Sequence, residues 1–370
     1  MSIRQRAALP ALLSFVLAGC AGVPLTQPLA PEVAPTLQPV DVKVGIRQPE
    51  LIAQFDVSRA GQAAAAACGA VPGMGILLAA ACGGVAGAAD ASINAARAKT
   101  ADETVQPLKD LLVDVKFDDA MGNSLTQSLK GVPGMQLAGV AVTKTVDSKA
   151  YEETFRASTA NAVMFVNVEY HLTADFSTLE VSARGLIYPR GAKARAAVNQ
   201  PATLAAGEDQ LALKNSAYRM NVIYDAKLAV PGAAPADYIA GWKSDGLIRS
   251  KLQDGIAQVS RLLAEDLARG PSAPKAVAAK KVDAGNGVMA DLVAEGTEGR
   301  TMRFPDGSLH LLSNATITVA AATPAATAAP TATPAAAPAT GTAPAAEPKA
   351  AQPTPAATPA AIPAATPAAQ

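Results

Sequence analysis

Residues 163–187 read VMFVNVEYHLTADFSTLEVSARGLI, and their alternation decides the fold. Met164, Val166, Val168, Tyr170 and Leu172 fall on one face of an extended chain, with Glu169, His171 and Thr173 on the other. After a turn at residues 175–178, Leu179, Val181, Ala183 and Ile187 face inward while Glu180, Ser182 and Arg184 face outward. A period of two is that of a half-buried strand, so the stretch reads as an antiparallel hairpin. A four-residue loop predicts a register that pairs Leu172 with Val181 on the buried face and Glu169 with Arg184 on the exposed one.

Working outward, a third strand at residues 218–230 alternates through Met220, Val222, Tyr224, Ala226 and Leu228, and the small, polar residues 190–215 read as a surface loop. Upstream, a strand at 137–143, a helix at 148–157 and the strand at 163–173 form a βαβ unit, whose strands run parallel with a right-handed crossover. Residues 91–129 are helical in composition, with Val105, Leu108, Leu111, Leu112 and Val115 at three- and four-residue spacings, ended by Gly122 and Gly131 to Gly134. Downstream, Asp245 is placed to cap a helix that Gly270 and Pro271 stop. Its stripe of Leu252, Ile256, Val259, Leu263 and Leu267 is the natural mate of the sheet's apolar face. Trp242, just before it, reads as a plug at the core's edge. The fold class is α+β: a small βαβ-plus-antiparallel-hairpin sheet packed by a long C-terminal amphipathic helix and preceded by an Ala/Gly-rich helical hairpin.

That helical hairpin spans residues 61–98. No charged residue occurs between Arg59 and Asp90, and Gly69 and Gly73, like Gly83 and Gly87, are four apart. This spacing lets helix backbones approach closely. Pro72 and Gly73 interrupt the run, so two short helices are expected. One reading inserts the hairpin into a membrane or packs it in an oligomer; the other lays it on the folded body. Cys68 and Cys82 lie equally far from Gly75, so a fold there brings them face to face. They are either bridged or remain buried thiols.

The chain begins with Arg4 and Arg6 and an apolar run from Ala7 to Ala18, a secretory signal too short to span a bilayer. Leu17, Ala18, Gly19 and Cys20 resemble the lipobox of bacterial lipoproteins, which implies cleavage after residue 19 and a lipid on Cys20. Residues 20–39 carry five prolines and read as an extended tether. Residues 40–60 hold a short alternating strand and a connection, and residues 99–270 the α+β domain. Residues 271–314 form a looser segment with a small β-hairpin around Pro305, Asp306 and Gly307. Residues 315–370, almost entirely Ala, Pro and Thr, form a disordered tail.

Little in this sequence carries chemistry. Its 31 basic and 31 acidic residues balance, and no basic stripe suits a nucleic-acid partner. The histidines are His171 and His310. His171 falls opposite Ser182 and beside Glu169 in the expected register, but no strained turn presents a nucleophile, so it reads as an exposed structural residue. Gly73 and Gly75 open a GxGxxG that is never completed. The acid pairs Asp118–Asp119, Glu152–Glu153, Glu208–Asp209 and Glu265–Asp266 point about 100° apart on a helix and read as solvated charges. No metal ligand set, cofactor or catalytic residue is expected.

In architecture the chain resembles proteobacterial envelope lipoproteins. Residues 161–267 also resemble, in topology, the periplasmic α+β domains of the curli-secretion lipoprotein and of the TolB amino-terminal domain. Ala21 after the cysteine implies sorting to the outer membrane, facing the periplasm. Three functions follow as expectations, in this order: a non-enzymatic, lipid-anchored module that binds another envelope protein through the sheet edge or the closing helix; a membrane-inserting, self-associating subunit of an export assembly; and, a distant third, an enzyme of unknown class.

Overall fold

The computed structural model describes residues 23–56, 88–202, 209–230, 234–270, 280–284, 287–313 and 317–318. All fall within one compact unit, Met1–Ala322; the second unit, Thr323–Gln370, lies outside the described residues. So do Cys20, Cys68, Cys82, Gly69, Gly73, Gly83 and Gly87, and with them the signal, the glycine-spaced hairpin up to residue 87 and most of the tail; residues 88–98 belong to a helix that continues to Leu112, so the expected boundary at 98 does not divide the chain there.

The fold is α+β, built on a mixed sheet. Its strands are β1 (Val40–Gly45), β2 (Ile52–Ala53), β3 (Leu137–Thr143), β4 (Ala162–Leu172), β5 (Thr178–Pro189), β6 (Tyr218–Ala229), β7 (Lys281–Asp283), β8 (Met289–Gly296), β9 (Gly299–Arg303), β10 (Leu309–Ser313) and β11 (Ile317–Thr318). The spatial order is β3-β1-β4-β5-β6-β10-β9-β8-β7, with β2 added to β4 and β11 to β6. The helices are α1 (Ala88–Leu112), α2 (Phe117–Lys130), α3 (Ser148–Ala157), α4 (Ala192–Ala197), α5 (Pro235–Lys243) and α6 (Leu247–Arg269).

The hairpin's faces are those the alternation predicts: Met164, Val166, Val168, Tyr170 and Leu172 lie in the main core with Leu179, Val181, Ala183 and Ile187. Its register differs by two. Leu172 pairs with Leu179, Tyr170 with Val181, Glu169 with Ser182 and Asn167 with Arg184. The cause is turn chemistry. Asp175 Oδ1 accepts from Ser177 N at 3.1 Å and from Thr173 Oγ1 at 2.6 Å, and Phe176 takes the left-handed φ of 61°. The loop therefore closes one residue early, with Thr173 N donating to Thr178 O.

The two strands of the expected βαβ unit are parallel to a common neighbour but not adjacent, because β1 lies between them and pairs in parallel with both β3 and β4. The C-terminal hairpin is likewise part of the main sheet: β10 runs parallel to β6 and antiparallel to β9. The proline-rich lead-in is not a free tether along its length. Leu29, Val33 and Leu37, four residues apart, are buried in the main core, and Gln27 exchanges backbone hydrogen bonds with Arg219 at 2.8 and 2.9 Å. The four-residue spacing places three large side chains on one side, and their burial, worth about 1.5–3 kcal/mol each, straps the segment down.

Helices α6 and α2 cover the core face, where Leu252, Ile256, Val259, Leu263 and Leu267 of α6 are all buried. Close approach depends on facing glycines. A Cβ on Gly255 of α6 would lie 2.6 Å from Val181 Cγ2, and one on Gly185 of β5 2.9 Å from Leu263 Cδ1. The expected single helix over residues 91–129 is broken between Leu112 and Phe117, and Gly122 sits inside α2 rather than ending it. The break lets two stripes bury separately, Val105, Leu108 and Leu112 from α1 and Phe117, Met121, Leu125 and Leu129 from α2. Trp242 plugs the core, fully buried on α5, with Nε1 donating to Phe176 O at 2.8 Å. Among the described residues no helix is long and apolar enough to cross a membrane.

Candidate functional site: the polar face of the sheet

The opposite face of the sheet has a different fate at its two ends. At one end Val163, Phe165, Leu186 and Tyr188 form a second, smaller core with Phe155, against which Tyr151 packs; both aromatics come from α3. Phe165 stacks on Tyr151 at 4.5 Å and meets Tyr188 edge-on at 6.1 Å. Beyond these rings the same strands turn polar, with Asn167, Glu169 and His171 on β4, Glu180, Ser182 and Arg184 on β5, Asn221 and Asp225 on β6 and His310 on β10.

Arg184 occupies the middle of that polar field, between its cross-strand partners Asn167 and Asn221. Its Nη2 atom is buried and has no hydrogen-bond partner among the described residues. Burial pulls its pKa down, and the Tyr188 hydroxyl pulls it partly back up. A guanidinium without an acceptor is costly, since hydrogen bonds to charged groups are worth about 1.5–3 kcal/mol.

Next to it lies a titratable row. His171 is only 6% exposed, which corrects the expectation of an exposed residue. It sits opposite Glu180, not Ser182, and Gln54 Nε2 donates to its Nε2 at 2.5 Å. Burial holds the imidazole down to about 4, against a small upward pull from Asp225. Burial and the Asp225 charge lift the Glu180 carboxyl to about 7, opposed by His310. His310 Nδ1 lies 3.3 Å from Asp225 Oδ2, and its ring packs on Phe304 with centroids 4.0 Å apart. Ser182 has neither histidine as a cross-strand partner. Among the described residues no group of three or more His, Cys, Asp or Glu side chains is arranged to hold a metal ion.

A cavity of about 340 Å³ opens beside Glu169 and His171. Its origin is a break in the sheet. Strand β1 stops at Gly45, opposite Asn167, and β2 resumes pairing with β4 only at Ile52, opposite His171. Over residues 168–170 the neighbouring strand is missing. Gln48 fills part of the gap: its Nε2 donates to Tyr170 O at 2.5 Å and its Oε1 accepts from Tyr170 N at 3.3 Å. The rest is open, walled by Ile52, Ala53, Phe55, Ala98, Val146 and Val168, with Arg47, Asn167 and Glu169 among its polar groups. Gly45 leaves room here, since a Cβ would crowd the Tyr151 hydroxyl and Asn167 Oδ1 and force those side-chain ends to shift. No protein-family model and no curated protein matches this sequence.

Of the acid pairs read as solvated, Asp266 is the exception. It is 6% exposed and accepts from the Tyr218 hydroxyl at 3.2 Å and from Arg303 Nη2 at 3.1 Å, tying α6 to β6 and β9. The others described keep surface partners, such as Glu152 with Arg156 and Asp118 with Lys144. Arg47, Gln48 and Gln54 carry no sequence signal of their importance; they follow a strand whose alternation has ended, and only the break in β4's pairing gives them a role.

Proposed function

We propose that the protein is a lipid-anchored, non-enzymatic periplasmic module that binds another envelope protein through the half-buried polar face of its sheet. Cys20 carries the lipid on this reading, and the outer membrane is its address. The observation that supports it most is Arg184, whose buried Nη2 has no acceptor among the described residues, at the centre of a half-buried polar face. A carboxylate or carbonyl on a docking partner would complete its hydrogen bonds. His171 is engaged by Gln54 and kept neutral, which favours binding over nucleophilic chemistry. The closing helix is a poor binding surface, since it packs on β5 and β6 on one side and on α2 on another.

The test is site-specific photo-crosslinking in cells that produce the protein, with the photoreactive residue at Ser182 or Asn221 on the polar face and at Ser250 or Gln253 on the exposed side of α6. Adducts with one envelope protein from the sheet positions alone, weakened by Arg184→Gln, are expected. Self-adducts only, or equal capture from both surfaces, would overturn the partner reading. For the anchor, Cys20→Ala should move the protein from the membrane pellet to the soluble fraction after an alkaline wash.

A further inference from the structure

Four charged side chains line the cavity at the break in β4: Lys99 and Asp102 are paired elsewhere, with Glu103 at 3.7 Å and Lys109 at 2.5 Å, while no ion pair joins Arg47 and Glu169. Glu169 is exposed to solvent and is one of the residues lining the cavity. Burial raises its carboxyl pKa, and the Arg47 charge draws it partly back down. Arg47 donates from Nη2 to Val146 O at 2.6 Å, and among the described residues it has no carboxylate at ion-pair distance. Had a salt bridge been the purpose of these groups, they would meet. Instead each retains unsatisfied capacity toward the space between apolar walls.

We infer that the cavity binds a small zwitterion with an apolar body, an α-amino acid of the leucine class. Its ammonium would pair with Glu169, its carboxylate with Arg47, and its side chain would lie against Ile52, Phe55 and Val146. A volume of about 340 Å³ is at the small end of the roughly 300–1,000 Å³ range of small-molecule sites, which suits one amino acid rather than a longer peptide. A ligand lacking either charge leaves one protein group desolvated and unpaired, which is how such sites discriminate. Asn167 and His171 add polar capacity on the same wall. This site adjoins the partner surface, since Asn167 lines the cavity and is the cross-strand neighbour of Arg184, but Glu169 and Arg47 are tested by a small ligand and Arg184 by crosslinking, so either reading can fail without the other.

The experiment uses the full chain with Cys20→Ala, exported through an ordinary cleavable signal, and isothermal titration with three near-isosteric probes: L-leucine, 3-methylbutylamine and 4-methylpentanoate. Leucine is expected to bind at least about tenfold more tightly than either single-charge probe. Glu169→Gln, which keeps shape, and Arg47→Lys, which keeps charge but loses the planar fork, should each weaken leucine by about tenfold or more with the thermal midpoint unchanged. Failure of leucine, methionine and phenylalanine all to bind would overturn the inference. So would equal binding of the amine or the acid alone, or leucine binding indifferent to both substitutions.

Discussion

His171 Nε2 lies 3.7 Å from Glu180 Oε1 across the β4–β5 pair, yet the contact is not a salt bridge. Burial keeps the imidazole neutral down to about 4 and the carboxyl protonated up to about 7, so between those values both groups are uncharged. Their effects on stability have opposite signs. Glu180, raised from near 4.5, contributes stability that is present below that value and lost as pH rises through about 7. His171, lowered from near 6.5, contributes stability that is present above that value and lost as pH falls through about 4. In the shared window the slopes cancel. Glu180→Gln should therefore lose stability, and His171→Gln gain it, as pH falls from 6.5 to 4.5, by about 1–2 kcal/mol each after solvent screening. Urea melts at three pH values check this; slopes of the same sign in both variants would refute it.

The contact between α6 and the sheet predicts a steric effect. Gly255→Val places atoms where Val181 and Tyr224 already lie within 3.0 Å of an ideal Cβ. It should destabilise by about 1–3 kcal/mol. Gly296→Ala, where a Cβ meets nothing, should stay within about 0.5 kcal/mol of the parent in the same denaturation series.

Gln48 stands in for a missing strand. Gln48→Ala leaves the backbone N–H and C=O of Tyr170 without their side-chain partner, a loss of about 1–3 kcal/mol. Hydrogen exchange gives the sharper readout: the Tyr170 amide should lose protection selectively, while those of Val181 and Val222 keep theirs. Uniform loss of protection would mean that the residue acts through global stability instead.

Asp266 links the closing helix to two strands. Asp266→Ala removes the acceptor of both the Tyr218 hydroxyl and Arg303. Arg303 is 36% exposed and regains water, so the loss should be about 2 kcal/mol rather than the 3–5 kcal/mol of a fully buried pair. Tyr218→Phe should cost about 1 kcal/mol. In the double variant the two effects should fall short of additive, because they share one interaction.

The hairpin's inward and outward faces were legible because only one parity of each strand is continuously apolar, and burial enforces parity. Register was not, since it turns on Phe176 adopting a conformation unusual for a non-glycine residue and on Asp175 closing the loop. The closing helix was legible from its spacing and its glycine stop. The insertion of β1 between β3 and β4 was hidden because a six-residue strand carries no label for its partner 120 residues away. The same blindness hid the cavity, which exists only because β1 ends and β2 begins opposite one uninterrupted strand. In the lead-in, the proline count argued for a tether, while Leu29, Val33 and Leu37 carried the opposite message at helical spacing.

On the reading that Cys20 carries a lipid, the docking of that lead-in limits where the protein can work. With Gln27 bonded to the edge of β6, the only slack between a lipid on Cys20 and the folded body is the chain between those two residues, at most about 25 Å when fully drawn out. That is less than the roughly 30 Å hydrocarbon thickness of the bilayer itself. On that reading, a body on so short a leash would lie against the membrane and sample few orientations, and the proposed partner would have to come to the bilayer surface to be met.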